Sequence, residues 1–146
     1  MRVAQEKHFI THDGSTLFYR YWPPIAPQTT ELRAVVLLHR GHEHSGRLQH
    51  VVDELALAEV AMFAWDARGH GRSPGPRGDS PSFAALVKDV DCFVRHIGNT
   101  HDIAIGNLAV IGQSVGAVLA ATWVHDFAPR IRCLVLTAPA FKVKLY

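Results

Sequence analysis

The 146-residue sequence is poor in cysteine, has no long apolar run and carries little net charge. Its two cysteines, Cys92 and Cys133, stand far apart, which is not the spacing of a disulfide framework or a zinc site. No stretch approaches the roughly 20 apolar residues of a membrane span, and residues 1–10 lack the apolar core of a signal peptide. These absences predict a soluble protein of a reducing, cytoplasmic compartment.

The charged residues are dispersed along the chain. The net charge of +2 arises without the dense basic stripe that binding to a phosphate backbone requires. Nucleic acid is therefore not an expected partner. The length and the 48% hydrophobic content are those of one packed domain.

Apolar periodicity divides the chain into strands and helices. Residues 6–22 alternate around Asp13-Gly14, a pair suited to a tight turn, which predicts a β-hairpin. Short apolar runs predict buried strands at residues 34–39, 61–65, 108–111 and 131–137. Three- and four-residue spacing predicts helices over residues 45–60, 81–97 and 116–127. This order predicts an α/β protein with a mostly parallel sheet and helices on both faces.

Local composition marks one helix start and one irregular loop. Ser80 followed by Pro81 predicts the N-cap and the first turn of the second helix. Residues 66–79 are rich in glycine and proline, which predicts a loop without regular structure.

The motif Gly112-Gln113-Ser114-Val115-Gly116 is a G-x-S-x-G sequence between an apolar strand and a helix. A serine on such a sharp turn has strained dihedrals, and only small residues two positions to either side avoid clashes. The turn would expose the Ser114 hydroxyl as a nucleophile and leave the Val115 N–H free to bind a developing oxyanion. A plain Gly-Ser turn without chemistry is the alternative.

Two further loops carry distinctive residues at predicted strand ends. Residues 39–47 read His-Arg-Gly-His-Glu-His-Ser-Gly-Arg, and residues 66–73 read Asp-Ala-Arg-Gly-His-Gly-Arg-Ser. With the Ser114 motif, in this order and spacing, they resemble the monoacylglycerol lipase and lysophospholipase branch of the α/β-hydrolases, a group labelled serine aminopeptidase S33-like. The resemblance implies the α/β-hydrolase fold, with residues 1–146 as the amino-terminal part of a single domain, truncated after about the sixth strand.

The resemblance also implies roles for the loop residues. The backbone N–H of Gly41 would be the second oxyanion donor. Arg40 stands where the family has glycine, and it would narrow the pocket, hold a substrate anion or weaken the oxyanion hole. His42 likewise stands where a second glycine is common. The remaining residues would support the loops and the pocket without performing chemistry: His39, Glu43, His44, Asp66, Arg68 and His70.

A metal site is the rival interpretation of the histidines. Ten residues of the chain are histidine, and three of them crowd the loop at residues 39–44. His39, His42 and His44, with His70 as an additional ligand, could supply imidazole nitrogens. Their spacing is not that of a zinc-binding helix, in which two ligands lie one turn apart. Hydrogen-bonded loop histidines without metal are therefore the favoured interpretation.

A serine hydroxyl needs a histidine base and an acid that orients it, and in this fold both follow the serine in sequence. His125 and Asp126 do follow Ser114, but they lie near the far end of the predicted helix, roughly 15 Å away at about 1.5 Å per residue. In the family, the acid and the histidine come after strands that would lie beyond residue 146. We therefore expect no turnover from residues 1–146 alone, and robust Ser114-dependent ester hydrolysis by this piece would contradict that expectation.

For the complete protein the resemblance implies hydrolysis of a carboxylic ester, with a monoacylglycerol or lysophospholipid as substrate, no cofactor and transient contact with membrane surfaces. A peptidase or a thioesterase would use the same serine, and a non-catalytic binding or assembly module of a larger multidomain protein is the alternative of a different class. Residues 141–146 would begin the lid that selects substrates. The strand at residues 131–137 would be an unpaired edge, so we expect self-association through it, which sedimentation at high concentration tests.

Overall fold

The computed structural model describes residues 1–27 and 30–142, whose six strands form one sheet in the order β1-β2-β4-β3-β5-β6. The four strands β3 to β6 are parallel, and the β1-β2 hairpin joins them antiparallel through β2 and β4. The predicted hairpin and mostly parallel sheet are therefore confirmed. The strands are β1 (Gln5–Ile10), β2 (Thr16–Trp22), β3 (Arg33–Leu38), β4 (Val60–Trp65), β5 (Leu108–Gln113) and β6 (Cys133–Thr137).

In the described part of the chain, three α-helices cover the sheet: α1 (Gln49–Leu55), α2 (Phe83–His101) and α3 (Val115–Phe127). On one face, Val52 of α1 packs in a cluster with alternate residues of β3 and β4. On the other face, Phe93 of α2 and Trp123 of α3 belong to a larger cluster that contains Val36 and Phe63 of the sheet. Helices therefore lie on both faces, as predicted. Within residues 1–27 and 30–142, no helix is both long and apolar enough to cross a bilayer.

The first predicted helix, over residues 45–60, was too long. A 3-10 helix at Ser45–Leu48 precedes α1, which ends at Leu55. Ala56 then has left-handed backbone angles, with φ of 50°, and its N–H donates to the Asp53 carbonyl. This reversal ends the helix early because Val60 must begin the buried strand β4. The apolar periodicity continued across a helix, a turn and the start of a strand.

The predicted N-cap at Ser80 was also wrong, because α2 begins two residues later. Ser82 has extended backbone angles, and its hydroxyl accepts a hydrogen bond from the Ala85 N–H at 3.0 Å. The Ser80 hydroxyl donates instead to the Ser82 carbonyl. Pro81 therefore precedes the cap and does not occupy the first turn.

The last strand, β6, begins at Cys133 rather than at residue 131. It pairs with β5 on one side, and on its other side no strand lies among the described residues. Val135 is 43% exposed on this edge strand. Self-association through this edge remains a prediction. The segment expected to begin a lid lies largely outside the described residues, which include only Phe141 and Lys142 of it.

A buried ionic cluster ties the hairpin turn to the 66–79 loop and to α2. The Arg68 guanidinium donates to both carboxylate oxygens of Asp89, at 3.0 and 2.9 Å, and to Asp13 at 2.7 Å. Asp89 is fully buried and also accepts from the Thr11 hydroxyl at 2.6 Å. Arg68 holds the pKa of Asp13 far below its usual range, and the two aspartates raise the pKa of Arg68. The cluster thus joins three segments that are distant in sequence.

Two half-buried histidines of α2, His96 and His101, both hydrogen-bond to the phenol group of Tyr19. The Tyr19 hydroxyl lies 3.0 Å from Nε2 of His96 and 3.0 Å from Nε2 of His101, and the Tyr19 side chain is buried. A hydroxyl donates to one imidazole and accepts from the other, so both rings are satisfied while neutral. Burial, reinforced by the charge of Lys7, lowers the pKa of His96 and lowers that of His101 to about 4.

We expect Asp89→Ala to lower the free energy of unfolding by about 3 to 5 kcal/mol, because it leaves the Arg68 guanidinium with an unpaired buried face. Urea denaturation followed by circular dichroism measures the change. Asp126→Ala is the matched control, since that carboxylate is exposed and pairs with its exposed neighbour His125. Equal losses in the two variants would show that the buried cluster does not stabilise the fold.

Stability should fall as the pH drops from about 6.5 to about 4, the ordinary and the folded-state pKa of His101. In this window the unfolded chain binds a proton at residue 101 that the folded chain excludes, so acid favours unfolding. His101→Gln should flatten the dependence of the melting temperature between pH 7 and 5. His125→Gln, at an exposed site, should leave it unchanged. An unaltered pH profile in His101→Gln would contradict this assignment.

Candidate active site

Ser114 occupies a strained turn between the end of β5 and the first residue of α3. Its backbone angles are φ 53° and ψ −116°, a conformation that residues other than glycine rarely adopt. Its N–H donates to the Thr137 carbonyl of β6 at 3.0 Å, and its own carbonyl accepts from the Ala117 N–H at 3.0 Å. The side chain is half-buried and makes no capping hydrogen bond to α3. The hydroxyl is thus held at the carboxyl edge of the sheet and left free of the helix.

Two glycines create the space that this turn needs. A methyl group on Gly112 would lie 2.5 Å from the Gly116 carbonyl oxygen and 2.7 Å from the Ala117 Cα. A methyl group on Gly116 would strike the Leu38 carbonyl oxygen and lie 2.6 Å from that of His39. Real side chains do not approach backbone so closely. Glycine at both positions therefore lets β3, β5 and α3 meet at Ser114.

The loop after β3 reaches the first turn of α3. A methyl group placed on Gly41 would lie 3.7 Å from Cγ1 of Val115. Val115 is the first residue of α3, so its N–H has no acceptor within the helix. The structure thus brings Gly41 and Val115, the two predicted oxyanion donors, next to each other beside Ser114. Gln113, the last residue of β5, is exposed next to the serine.

His39 joins the loop after β3 to the loop after β4. Its buried imidazole accepts the Ala67 N–H on Nε2 at 3.0 Å, so the proton is assigned to Nδ1, which donates to the Arg40 carbonyl at 2.7 Å. Burial lowers the pKa of His39 and keeps it neutral. His70 lies above it, with a ring-centre distance of 5.3 Å and a hydrogen bond from Nδ1 to the Arg68 carbonyl. Both imidazoles therefore hydrogen-bond to backbone groups of the loops after β3 and β4.

Asp66 organises the same two loops with its carboxylate. One oxygen accepts the Ser45 N–H at 2.6 Å and the other accepts the Arg72 N–H at 2.8 Å. The Asp66 side chain is buried, and among the described residues no lysine or arginine side chain pairs with it. Its position fits the supporting role that the sequence predicts. Arg68 instead turns toward Asp89 and Asp13, partners that no local sequence signal identified.

The remaining loop residues lie around Gly41. His42 has φ of 54°, a left-handed conformation that glycine adopts more readily than histidine, and its ring centre is 6.3 Å from that of His70. Glu43 lies between two guanidinium groups, those of Arg40 and Arg47. His44 caps the following 3-10 helix by accepting the Gly46 N–H on Nδ1. Arg47 was not among the predicted site residues, because its pairing with Glu43 appears only in the folded chain.

The metal interpretation finds no supporting geometry in the described residues. Over residues 1–27 and 30–142, no group of three or more histidine, cysteine, aspartate or glutamate side chains could hold a metal ion. Nε2 of His39 and Nδ1 of His44 already accept backbone N–H groups. His39 and His44 therefore act as hydrogen-bonding groups here.

His125 and Asp126 pair with each other at 2.8 Å on the exposed carboxyl-terminal turn of α3. Eleven residues of helix separate His125 from Ser114, which corresponds to about 16 Å at about 1.5 Å per residue. Across the described residues, no histidine or carboxylate hydrogen-bonds to the Ser114 hydroxyl. Ser114 and the two predicted oxyanion donors thus lie together, and no described histidine or carboxylate hydrogen-bonds to the serine hydroxyl.

A cleft of about 480 Å³ adjoins this turn on the α1 side of the sheet. Two neighbours of Ser114 form part of the cleft wall: Gln113, which precedes it in the chain, and Thr137, whose carbonyl accepts the Ser114 N–H. Its other lining residues are apolar side chains of the sheet, of the 3-10 helix and of α1, together with Arg40, Glu43, Arg47 and His50. The cleft therefore opens beside the candidate nucleophile.

Known proteins resemble this chain in sequence and in fold. The protein YnbC of Escherichia coli is 59% identical over 145 residues, which cover 99% of this chain and 24% of that protein. A monoacylglycerol lipase of Mycolicibacterium smegmatis is 31% identical over 139 residues, which cover 94% of this chain and 48% of the lipase. The chain thus spans between a quarter and a half of the length of these relatives.

A solved structure, that of DcsB in complex with its substrate analogue, superimposes with a TM-score of 0.82 at 17% identity and covers 98% of this chain and 47% of its own. At this level of identity the likeness establishes the fold. The model of the family described as serine aminopeptidase, S33, matches residues 30–146. The match extends over most of the chain, from just before β3 through the Ser114 turn and beyond β6. The chain therefore belongs to the serine aminopeptidase S33 family of α/β-hydrolases.

Proposed function

We propose that Ser114 is the nucleophile of a serine ester hydrolase whose substrate is a monoacylglycerol or a lysophospholipid. The observation that carries the proposal is the left-handed Ser114, held between two obligatory glycines with its hydroxyl free. A strained polar residue at a strand-to-helix turn is costly and is retained where its side chain does chemistry. The lipase named among the relatives supports the choice of ester and lipid.

The geometry supports acyl transfer through a covalent intermediate. The Ser114 oxygen would attack the ester carbonyl while a base takes its proton, and the N–H groups of Val115 and Gly41 would stabilise the tetrahedral oxyanion. Collapse of this tetrahedral intermediate would release the alcohol, which takes the proton from the base, and leave an acyl-serine. Water would then hydrolyse the acyl-serine, releasing the carboxylic acid and restoring Ser114. We propose that the base and its orienting acid come from outside residues 1–146, because none of the described side chains reaches the serine.

Peptide hydrolysis is the second candidate, and the description of the family as aminopeptidase favours it. The same nucleophile and oxyanion donors would serve an amide or a thioester. A panel of acyl esters, acyl thioesters and aminoacyl amides, assayed with the complete protein, separates these reactions. Ester turnover at least tenfold faster than turnover of the other two classes is the expected result.

Ser114→Ala in the complete protein should lower kcat by roughly 10³ to 10⁶, because no other group can form the acyl intermediate. Ester hydrolysis and labelling by a fluorophosphonate measure the loss. Ser82→Ala is the control, since that serine caps α2 away from the site. A loss smaller than tenfold in Ser114→Ala would mean that another residue is the nucleophile.

Gly116→Ala should abolish most of the activity, because the added methyl group would push the β3 end, and with it the Gly41 loop, away from α3. Gly106→Ala is the matched control, since its added methyl group would only touch the Arg130 carbonyl oxygen at 3.9 Å. Ester hydrolysis by folded samples of both variants gives the comparison. Wild-type turnover in Gly116→Ala would refute the proposed oxyanion geometry.

A further inference from the structure

The cleft beside Ser114 combines an apolar floor with a cationic rim. We propose that it binds the phosphate of an anionic lysolipid, so that the enzyme prefers such esters to uncharged monoacylglycerols. This inference rests on the proposed ester hydrolase function and deepens it by naming the head group. It is carried by a pair of guanidinium groups at the rim, those of Arg40 and Arg47.

One carboxylate positions both guanidinium groups. Nε of Arg40 lies 3.3 Å from Oε2 of Glu43, and Nε of Arg47 lies 3.7 Å from Oε1 of the same side chain. The Glu43 side chain is only 13% exposed, whereas those of Arg40 and Arg47 are 56% and 68% exposed. The Glu43 carboxylate is thus set into the loop and faces the Nε atoms of two exposed guanidinium groups.

The outer nitrogens of the pair remain available to a ligand. Among the described residues, no hydrogen bond uses the terminal guanidinium nitrogens of Arg40 or Arg47. Two arginines against one glutamate leave a net charge of +1 at the rim. Planar guanidinium groups bind phosphate oxygens through paired hydrogen bonds, so two of them at one rim suit a phosphate monoester.

The cleft borders the reacting atoms. Arg40 directly precedes Gly41, the proposed oxyanion donor, and shares the cleft with Gln113, the residue before Ser114. Thr137, another lining residue, accepts the Ser114 N–H. An ester held at Ser114 can therefore place the group on one side of its carbonyl in this cleft.

The floor of the cleft suits the carbon skeleton of a lipid. Five aliphatic side chains from β3, β5 and the segment that includes α1 line it: Leu37, Leu38, Leu48, Val51 and Ile111. An apolar floor below a positive rim is complementary to an amphiphile with a negative head group. A neutral monoacylglycerol would leave the guanidinium pair unused.

The test measures kcat/KM of the complete protein for decanoyl lysophosphatidic acid and for monodecanoylglycerol, both below their aggregation concentrations. We expect the wild type to prefer the phosphate ester by about tenfold at low ionic strength, and to lose the preference as salt screens the exposed guanidinium groups. Arg40→Gln and Arg47→Gln should each reduce the ratio of the two constants by about tenfold, largely through KM. Glycerol 1-phosphate should inhibit the wild type competitively, and glycerol should not.

Arg33→Gln is the matched control, since Arg33 lies at the opposite end of β3 and pairs weakly with Glu59 at 3.9 Å. It should leave the ratio unchanged. Equal use of the two esters by the wild type, or a preference that persists in both Arg40→Gln and Arg47→Gln, would overturn the inference while leaving ester hydrolysis intact. Absence of Ser114-dependent turnover with either ester would instead refute the proposed function itself.

Discussion

Close backbone contact between the end of β3 and the first turn of α3 sets the geometry of the candidate site. Glycine at position 116 lets the carbonyl groups of Leu38 and His39 lie directly against the helix. This contact places the Gly41 loop beside Val115 and fixes where the serine turn must begin. Ser114 then adopts a left-handed conformation that the sheet and the helix impose from both sides. The strain at Ser114 is maintained because relieving it would move the first turn of α3 away from the end of β3.

Buried polar side chains hold the loops that surround this contact. Asp66 fixes two backbone N–H groups, and neutral His39 bridges the loops after β3 and β4. Arg68 links the 66–79 loop to α2 and to the hairpin turn. Asp66 and His39 hydrogen-bond to backbone, Arg68 pairs with the buried Asp89, and all three side chains have little contact with solvent. Their role is to make the carboxyl edge of the sheet rigid, so that the exposed charges of the 40–47 segment stand at a defined position.

The order and type of the main elements could be predicted because each has its own local period. Alternation around Asp13-Gly14 marked the hairpin, and short apolar runs marked the parallel strands. The ends of the elements were less predictable where the apolar pattern of a helix runs into that of the next strand. Residues 45–60 look like one helix in sequence, yet the chain reverses at Ala56 because Val60 pairs within the sheet. Ser80 and Ser82 are equally good caps in isolation, and in the folded chain it is Ser82 that accepts the Ala85 N–H.

The sequence by itself determined the α/β class, the position of the serine turn and the glycines beside it, since clearance between neighbouring residues is a local requirement. Tertiary structure alone decided the partners of Arg68, the neutral state of His39 and the pairing of Arg40 and Arg47 with Glu43. It also decided that Thr137 would hold the Ser114 N–H. These features depend on burial and on distances that the folded backbone sets, often between residues far apart in the chain, and no local pattern records them.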